Sequence, residues 1–324
     1  MNASTVALTR CPGYDRRALS HALVRQFDLL GGMGQFVRPG DRVLLKPNFI
    51  APRPSQAAVQ TDPAIIVEVA RLLKDAGARP FVGDSPAWGS VFSCAHVLGL
   101  DEDLRRLDVP IRPLDHGRRC RLADGRTTVS ISSVALDADK IVNLPKFKAH
   151  QQLVFTFAVK NLFGCVPGKR KPYWHFSRGR SPDQFCRFLI DIYRLVSPVL
   201  TIVDGIVAME GQGPISGRAR PLGWLVGGAD AIACERACAR LVNVEPGRVP
   251  LIRTAQAVGF GCPSAQALNL VGDDPSEGAC MDFRMAEQVP LRFSLGRVVK
   301  SIARGMVVSL RASRTHRQAQ GDGP

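Results

Sequence analysis

No run of about 18 uninterrupted apolar residues occurs in the chain, so the length a helix needs to cross a bilayer is missing from the sequence. Residues 1–10 lack the basic-then-apolar order of a secretory signal, and the expected location is cytoplasmic. The nine cysteines, at 11, 94, 120, 165, 186, 234, 238, 262 and 280, form no C-x-x-C pair and no ferredoxin-type spacing, so no iron–sulfur cluster is expected. Cys234 and Cys238 share a helix face at i, i+4 spacing, but two thiols alone make a poor metal site and core packing is the plainer reading. Neither a G-x-G-x-x-G loop behind the early strands nor a Walker A spacing is present, which argues against a dinucleotide or nucleoside triphosphate held by those loops. Aromatic residues make up 6% of the chain and do not interleave a basic run, so specific nucleic-acid binding is not expected.

What is present is a large apolar fraction, 45%, in 324 residues, enough for a substantial core, together with a formal charge of +15. Much of that excess is arginine spread along the chain, and it suits an anionic substrate or an acidic lipid surface.

Periodicity predicts strands at 6–9, 42–45, 79–82, 140–144, 199–203, 224–226 and 268–271. Helices are predicted at 14–30, 184–195, 229–241 and from Pro63 to about Ala76, the last with Thr61 or Asp62 as its N-cap. Alternation at this spacing argues for an α/β fold, a mainly parallel, doubly wound-like sheet flanked by helices, with residues 1–295 forming one such domain or two lobes around a site. Ligands bind outside the carboxyl ends of such strands, a rule that places Lys46, Asn48, Asp84 and Ser85 on one rim, with Lys146, Lys148 and Asp204 at later strand ends. Asp84 and Asp204 also suit the plainer role of capping the following turns. Residues 296–324 form a basic tail, amphipathic over 296–317, that would dock on its own domain or touch anionic lipid, with the last residues disordered.

The densest chemistry lies in residues 143–175, NLPKFKAHQQLVFTFAVKNLFGCVPGKRKPYWH. Lys160 stands in an apolar background, so its amine must meet an anion or lose its charge. Gly164, Pro167 and Gly168 break the helix and free backbone N–H groups beside Lys169 and Lys171, a setting suited to phosphate or carboxylate oxygens. His150 and His175 are candidate acids, bases or metal ligands, and Asn161 a candidate hydrogen-bonding partner for substrate. A second cluster, TIVDGIVAMEGQGPISG at 201–217, places Asp204 and Glu210 around turns in which Gly211 and Gly213 let a ligand approach the backbone. Glu210 is a candidate general base or, with another carboxylate and a histidine, a ligand for a divalent metal, against ordinary loop solvation.

In their order, LLKPN at 44–48, TDP at 61–63, GDSP at 83–86, LPKFKAH at 144–150, KNLFGCVPGKRK at 160–171, VDGIVAMEGQGPISG at 203–217 and GGAD at 227–230 resemble domain-of-unknown-function family 362. The resemblance spans roughly residues 6–272 and implies an α/β fold and a shared site without supplying an activity. Many members carry iron–sulfur segments, and the clustered cysteines of those members are missing here; Glu235 stands where the family pattern usually has an aspartate. A looser similarity to lactate-racemase-type proteins, a histidine followed by a glycine- and lysine-rich segment, carries over no nickel cofactor.

Together these features give the expectation of an enzyme acting on a small phosphorylated or carboxylated metabolite, with Lys46, Lys148, Lys160 and Lys169 holding the anion and His150 or Glu210 moving a proton next to a carboxylate or carbonyl. The alternative is a non-catalytic accessory protein for a metal centre or redox partner.

Overall fold

The computed structural model of the protein describes residues 3–155, 157–168 and 171–289. The expected tail at 296–324 and the candidate Lys169 lie outside the described residues.

Strand β1 (Ser4–Arg10) leads through helix α1 (Arg16–Leu29) to β2 (Arg42–Pro47), α2 (Pro63–Asp75) and β3 (Arg79–Asp84). Asp62 is the N-cap of α2, its carboxylate accepting the Ala64 N–H at 3.0 Å, and Pro63 opens the helix where a missing N–H costs nothing. Two short helices, α3 (Val91–Val97) and α4 (Leu100–Arg106), precede β4 (Ile111–Pro113). A separate hairpin, β5 (Gly117–Arg121) with β6 (Thr128–Ser132), is followed by α5 (Ser133–Leu136), β7 (Lys140–Leu144), β8 (Lys146–His150) and β9 (Val154–Phe155). Next come α6 (Ala158–Asn161), α7 (Lys171–Arg178), α8 (Pro182–Val196), β10 (Leu200–Glu210), β11 (Arg218–Gly228), α9 (Ala231–Leu241), α10 (Pro250–Ala257) and β12 (Leu268–Gly272).

The main sheet runs β12-β1-β11-β10-β7-β2-β3-β4, parallel from β10 to β4 and antiparallel where β11 joins β10 and β1. Period-two alternation divides its side chains between two cores. Val43 and Leu45 pack with α1 and α2 on one face, whereas Leu44, Phe81 and Ile141 pack with α8 and α9 on the other. The chain is therefore an α/β protein with helices on both faces of a mainly parallel sheet.

Two expected boundaries move. The strand expected to stop at Val203 continues to Glu210, so Asp204 lies within a strand and not at its end. Lys146 and Lys148, expected in a loop, belong to β8, which takes over pairing with β10 where β7 stops: Thr201 opposes Asn143 and Asp204 opposes Lys146. Alternation along β8 sends Phe147 and Ala149 into the apolar core and leaves Lys146, Lys148 and His150 on the opposite side.

Candidate functional site

Neighbouring strands β2 and β3 end side by side, which brings Lys46 and Asp84 together. Lys46 Nζ lies 2.9 Å from the Asp84 carboxylate, with the two side chains 0% and 1% exposed. Lys46 also donates to the Pro47 carbonyl at 2.6 Å, while Asp84 accepts the N–H groups of Phe49 at 2.8 Å and Ser85 at 2.6 Å. Each charge thus meets an opposite charge and further hydrogen bonds, the condition under which burial of an ion pair is tolerated. Gly164 passes directly over the pair: a Cβ there would stand 2.3 Å from Asp84 Oδ1 and 2.5 Å from Lys46 Nζ.

Three asparagines fasten α6 to the same strand ends. Asn161 donates to the Lys46 carbonyl at 3.1 Å and to Asn143 Oδ1 at 2.8 Å, and accepts from Asn48 at 3.0 Å. Asn143 donates to the Ala158 carbonyl at 2.9 Å. The buried Oδ1 of Asn48 has no hydrogen-bond partner among the described residues. Behind α6, the buried Glu235 accepts the Val159 N–H at 3.3 Å, and burial pushes its carboxyl up to about 8.

Above this floor is a cavity of about 410 Å³, in the size range of small-molecule sites. Its wall carries Lys160 from α6, Lys171 and His175 from α7, and His150 from the end of β8, with Asn48, Asp84, Ser85, Asn161, Gly164 and Gly168 completing the polar part. Lys171 and His175 are four residues apart on one helix and face the same space. Burial pushes the Lys160 amine down to about 8. Burial also brings Lys171 down to about 8, an effect that Asp84 opposes and Lys46 reinforces. The Lys171 amine donates to the Ser85 carbonyl. Lys160 is half-buried, and its amine has neither a hydrogen bond nor an ion pair to any described residue.

The imidazoles are held neutral. His175 packs at a tilt against Phe185 with ring centroids 4.6 Å apart, and burial, then the charges of Lys160 and Lys171, push it down to about 3. His150 is held well below its ordinary value by burial and then by Lys160. Its Nδ1 accepts the Gln152 N–H at 3.0 Å, which leaves the proton of the neutral ring on Nε2. Lys148 stays under the surface, donating to the Val59 carbonyl at 2.8 Å, and burial holds its amine well below the usual lysine range.

Other residues singled out from the sequence fall elsewhere. Lys146 and Asp204 pair with each other at 2.8 Å, and the Tyr14 hydroxyl donates to Asp204 and accepts from Lys146, each at 2.8 Å. Asp204 also accepts the Asp62 N–H at 2.9 Å, so this cluster fastens the start of α2 to β10 and is not part of the cavity wall. Glu210 accepts the Arg284 N–H at 3.1 Å, likewise off the wall. Gly211 and Gly213 flank the lining residue Gln212, and Gly213 is pressed so closely to β8 that a Cβ would lie 2.0 Å from the Ala149 carbonyl oxygen. Among the described residues no group of three or more His, Cys, Asp or Glu side chains is arranged to hold a metal ion.

The sequence reading passed over Phe49, Ile50, Trp88, Gln151 and Gln152, all of which line the cavity. Each lies one or two residues beyond a strand-end motif, within reach of the strand-end rule if it is extended that far.

Fold and site define an α/β protein with an amine- and imidazole-walled cavity outside the carboxyl ends of a mainly parallel sheet. The chain belongs to the family described as Domain of unknown function (DUF362), whose profile matches residues 43–240. It is 38% identical over 299 residues to the thylakoid-associated protein sll1697 of Synechocystis sp., covering 92% of each chain. Among solved structures it is similar to the lactate racemase apoprotein from Thermoanaerobacterium thermosaccharolyticum, with 12% identity and a TM-score of 0.49 over 75% of this chain, and it spans 58% of that chain's length. No helix among the described residues is long and apolar enough to cross a membrane.

Proposed function

We propose that the cavity is the active site of an enzyme acting on a small anionic metabolite, phosphorylated or carboxylated, by proton transfer at a carbon next to a carboxylate or carbonyl. The observation that carries this reading is the charge balance of the wall. Its one carboxylate, Asp84, is already matched by Lys46, so the amines of Lys160 and Lys171 are left to set the sign of the cavity. An anion entering there meets two amines and the Nε2–H of His150. The same donors suit negative charge that develops on an oxygen when an adjacent C–H is ionised, and enclosure strengthens them. His150 is the residue assigned to move the proton, which its Nε2–H can give to the reacting centre, and burial, then the charge of Lys160, hold the imidazole neutral.

The test is a thermal-shift and native-mass screen of the full-length protein against phosphorylated and carboxylated metabolites, followed by turnover of each hit. His150→Ala should abolish turnover, and Lys148→Ala should lower it. Unchanged turnover in both variants would remove the assignment.

A second, compatible reading concerns location. The relative named as thylakoid-associated and the basic amphipathic pattern of residues 296–317 support peripheral attachment to an anionic membrane. Deleting residues 296–324 should end sedimentation with phosphatidylglycerol vesicles. Undiminished sedimentation would rule the tail out.

A further inference from the structure

The chain contains thirty-four arginines and nine lysines. Basic charge on this protein is supplied mainly by guanidinium groups, yet five of the nine lysines, Lys46, Lys146, Lys148, Lys160 and Lys171, converge on the carboxyl ends of the central strands. Four of those amines are committed: Lys46 to Asp84, Lys146 to Asp204, Lys148 to the Val59 carbonyl and Lys171 to the Ser85 carbonyl. Lys160 alone among them carries no bond to a described residue, and it opens onto the cavity. A group needed only to attract an anion could have been arginine, which is always charged and binds carboxylates in bidentate fashion. An amine that can lose its proton has a different use, as a nucleophile.

We propose that Lys160 is an imine-forming nucleophile and that its substrate is a small 2-oxo acid bearing an apolar or aromatic side chain. The proposal rests on the reading of the cavity as an active site for an anion and names the substrate class. Lys160 Nζ, as the free amine, attacks the C2 carbonyl carbon; a C–N bond forms and the carbonyl π pair moves to oxygen. Both amine protons pass to that oxygen, the C–O bond breaks, water leaves, and the nitrogen lone pair closes the C=N bond, so atoms and electrons balance without any further reactant. Protonation of the imine nitrogen then makes the C3–H acidic, which is the proton transfer already assigned to this site. Lys171 takes the carboxylate, and the Nε2–H of His150 serves the departing oxygen. Phe49, Ile50, Trp88, Phe163 and Ile215 give the rest of the wall its apolar character and select the side chain. Burial, which brings the Lys160 amine down to about 8, leaves a minority of free base near neutral pH that grows as pH approaches 8.

The experiment treats the full-length protein with phenylpyruvate, or with pyruvate, and sodium cyanoborohydride near neutral pH, and locates reduced adducts by peptide mass spectrometry. The larger neutral fraction of a lowered amine, set against its weaker nucleophilicity, leads us to expect labelling of Lys160 on the order of tenfold faster than surface Lys74. Phenylpyruvate should label faster than pyruvate, and Lys160→Arg should lose the fast adduct while Lys74 still labels slowly. Labelling of Lys160 no faster than that of Lys74, or a fast adduct that persists in Lys160→Arg, overturns the proposal. Phenyllactate, which has the same carboxylate and ring without the carbonyl, separates the two readings. If it raises the melting temperature while phenylpyruvate gives no Lys160 adduct, the imine fails and the anion site stands; if phenyllactate does not bind and no adduct forms, both fall.

Discussion

Gly164→Ala tests the foundation of the cavity. The added methyl would lie 2.3 Å from Asp84 Oδ1, 2.5 Å from Lys46 Nζ and 2.6 Å from Lys46 Cε. Ordinary contact would require a displacement of about 1 Å. Neither partner can swing away into water, because both side chains are buried and the Asp84 oxygens are tied to the N–H groups of Phe49 and Ser85. Accommodation must therefore either part the ion pair, at about 3–5 kcal/mol, or shift the backbone around Gly164, at about 1–3 kcal/mol. The cheaper route sets the expected loss at about 1–3 kcal/mol, which lowers the urea midpoint by up to about 1 M at an unchanged slope. Gly13→Ala is the control: no atom lies within 4 Å of its added methyl, so its midpoint should match that of the unaltered protein. A Gly164→Ala loss below about 1 kcal/mol would refute the claim that glycine is required there by the buried pair.

Three further outcomes follow from the same geometry. The Lys160 and Lys171 amines, both lowered to about 8, are charged below that value, so affinity for sulfate or a carboxylate should be full near neutral pH and fall as pH rises through about 8; calorimetry showing no change would contradict their role. Glu235 is raised to about 8, so as pH rises from the ordinary carboxyl range toward 8 the unfolded chain ionises while the folded chain does not, and wild type loses stability. Glu235→Gln keeps an oxygen for the Val159 N–H and does not titrate, so its stability relative to wild type should climb across that window; a flat difference in urea unfolding would count against a neutral Glu235. Asp204→Ala strands the buried Lys146 ammonium beside Tyr14 and should cost about 3–5 kcal/mol by urea unfolding, a loss under about 1 kcal/mol being incompatible with the pairing described.

The helix and strand alternation was legible wherever the local signals agreed. At Thr61-Asp62-Pro63 a cap residue, a first-turn proline and an apolar period coincide, and α2 begins where they place it. The strand β8 was not legible because both of its sides are buried and the one opposite the apolar core carries Lys146, Lys148 and His150, a pattern that hydropathy reads as exposed loop. Continuation of β10 past Asp204 was hidden by glycine: Gly205 reads as a turn, but it is there because a Cβ would stand 2.9 Å from the Trp224 carbonyl oxygen on the adjacent strand. For the site, residue type singled out His150, Lys160, Asn161, Lys171 and His175, which line one cavity, together with Lys146, Lys148, Asp204 and Glu210, which do not. Sequence could not say which cation owns which anion, since Lys46 with Asp84 and Lys146 with Asp204 are pairings between distant segments created by strand order. Once those pairs are assigned, the remaining amines are the ones free to act.

The neutral floor under the cavity separates foundation from specificity. Lys46 and Asp84 come from the sheet and cancel, whereas Lys160, Lys171 and His175 all come from the adjoining stretch that holds α6 and α7. Asn161 and Gly164 fix the backbone of that stretch to the floor, while its cationic side chains stand outside the buried pair. A lineage could retarget the pocket, or reverse its polarity, by rewriting one piece of chain while the sheet that carries it stays as it is.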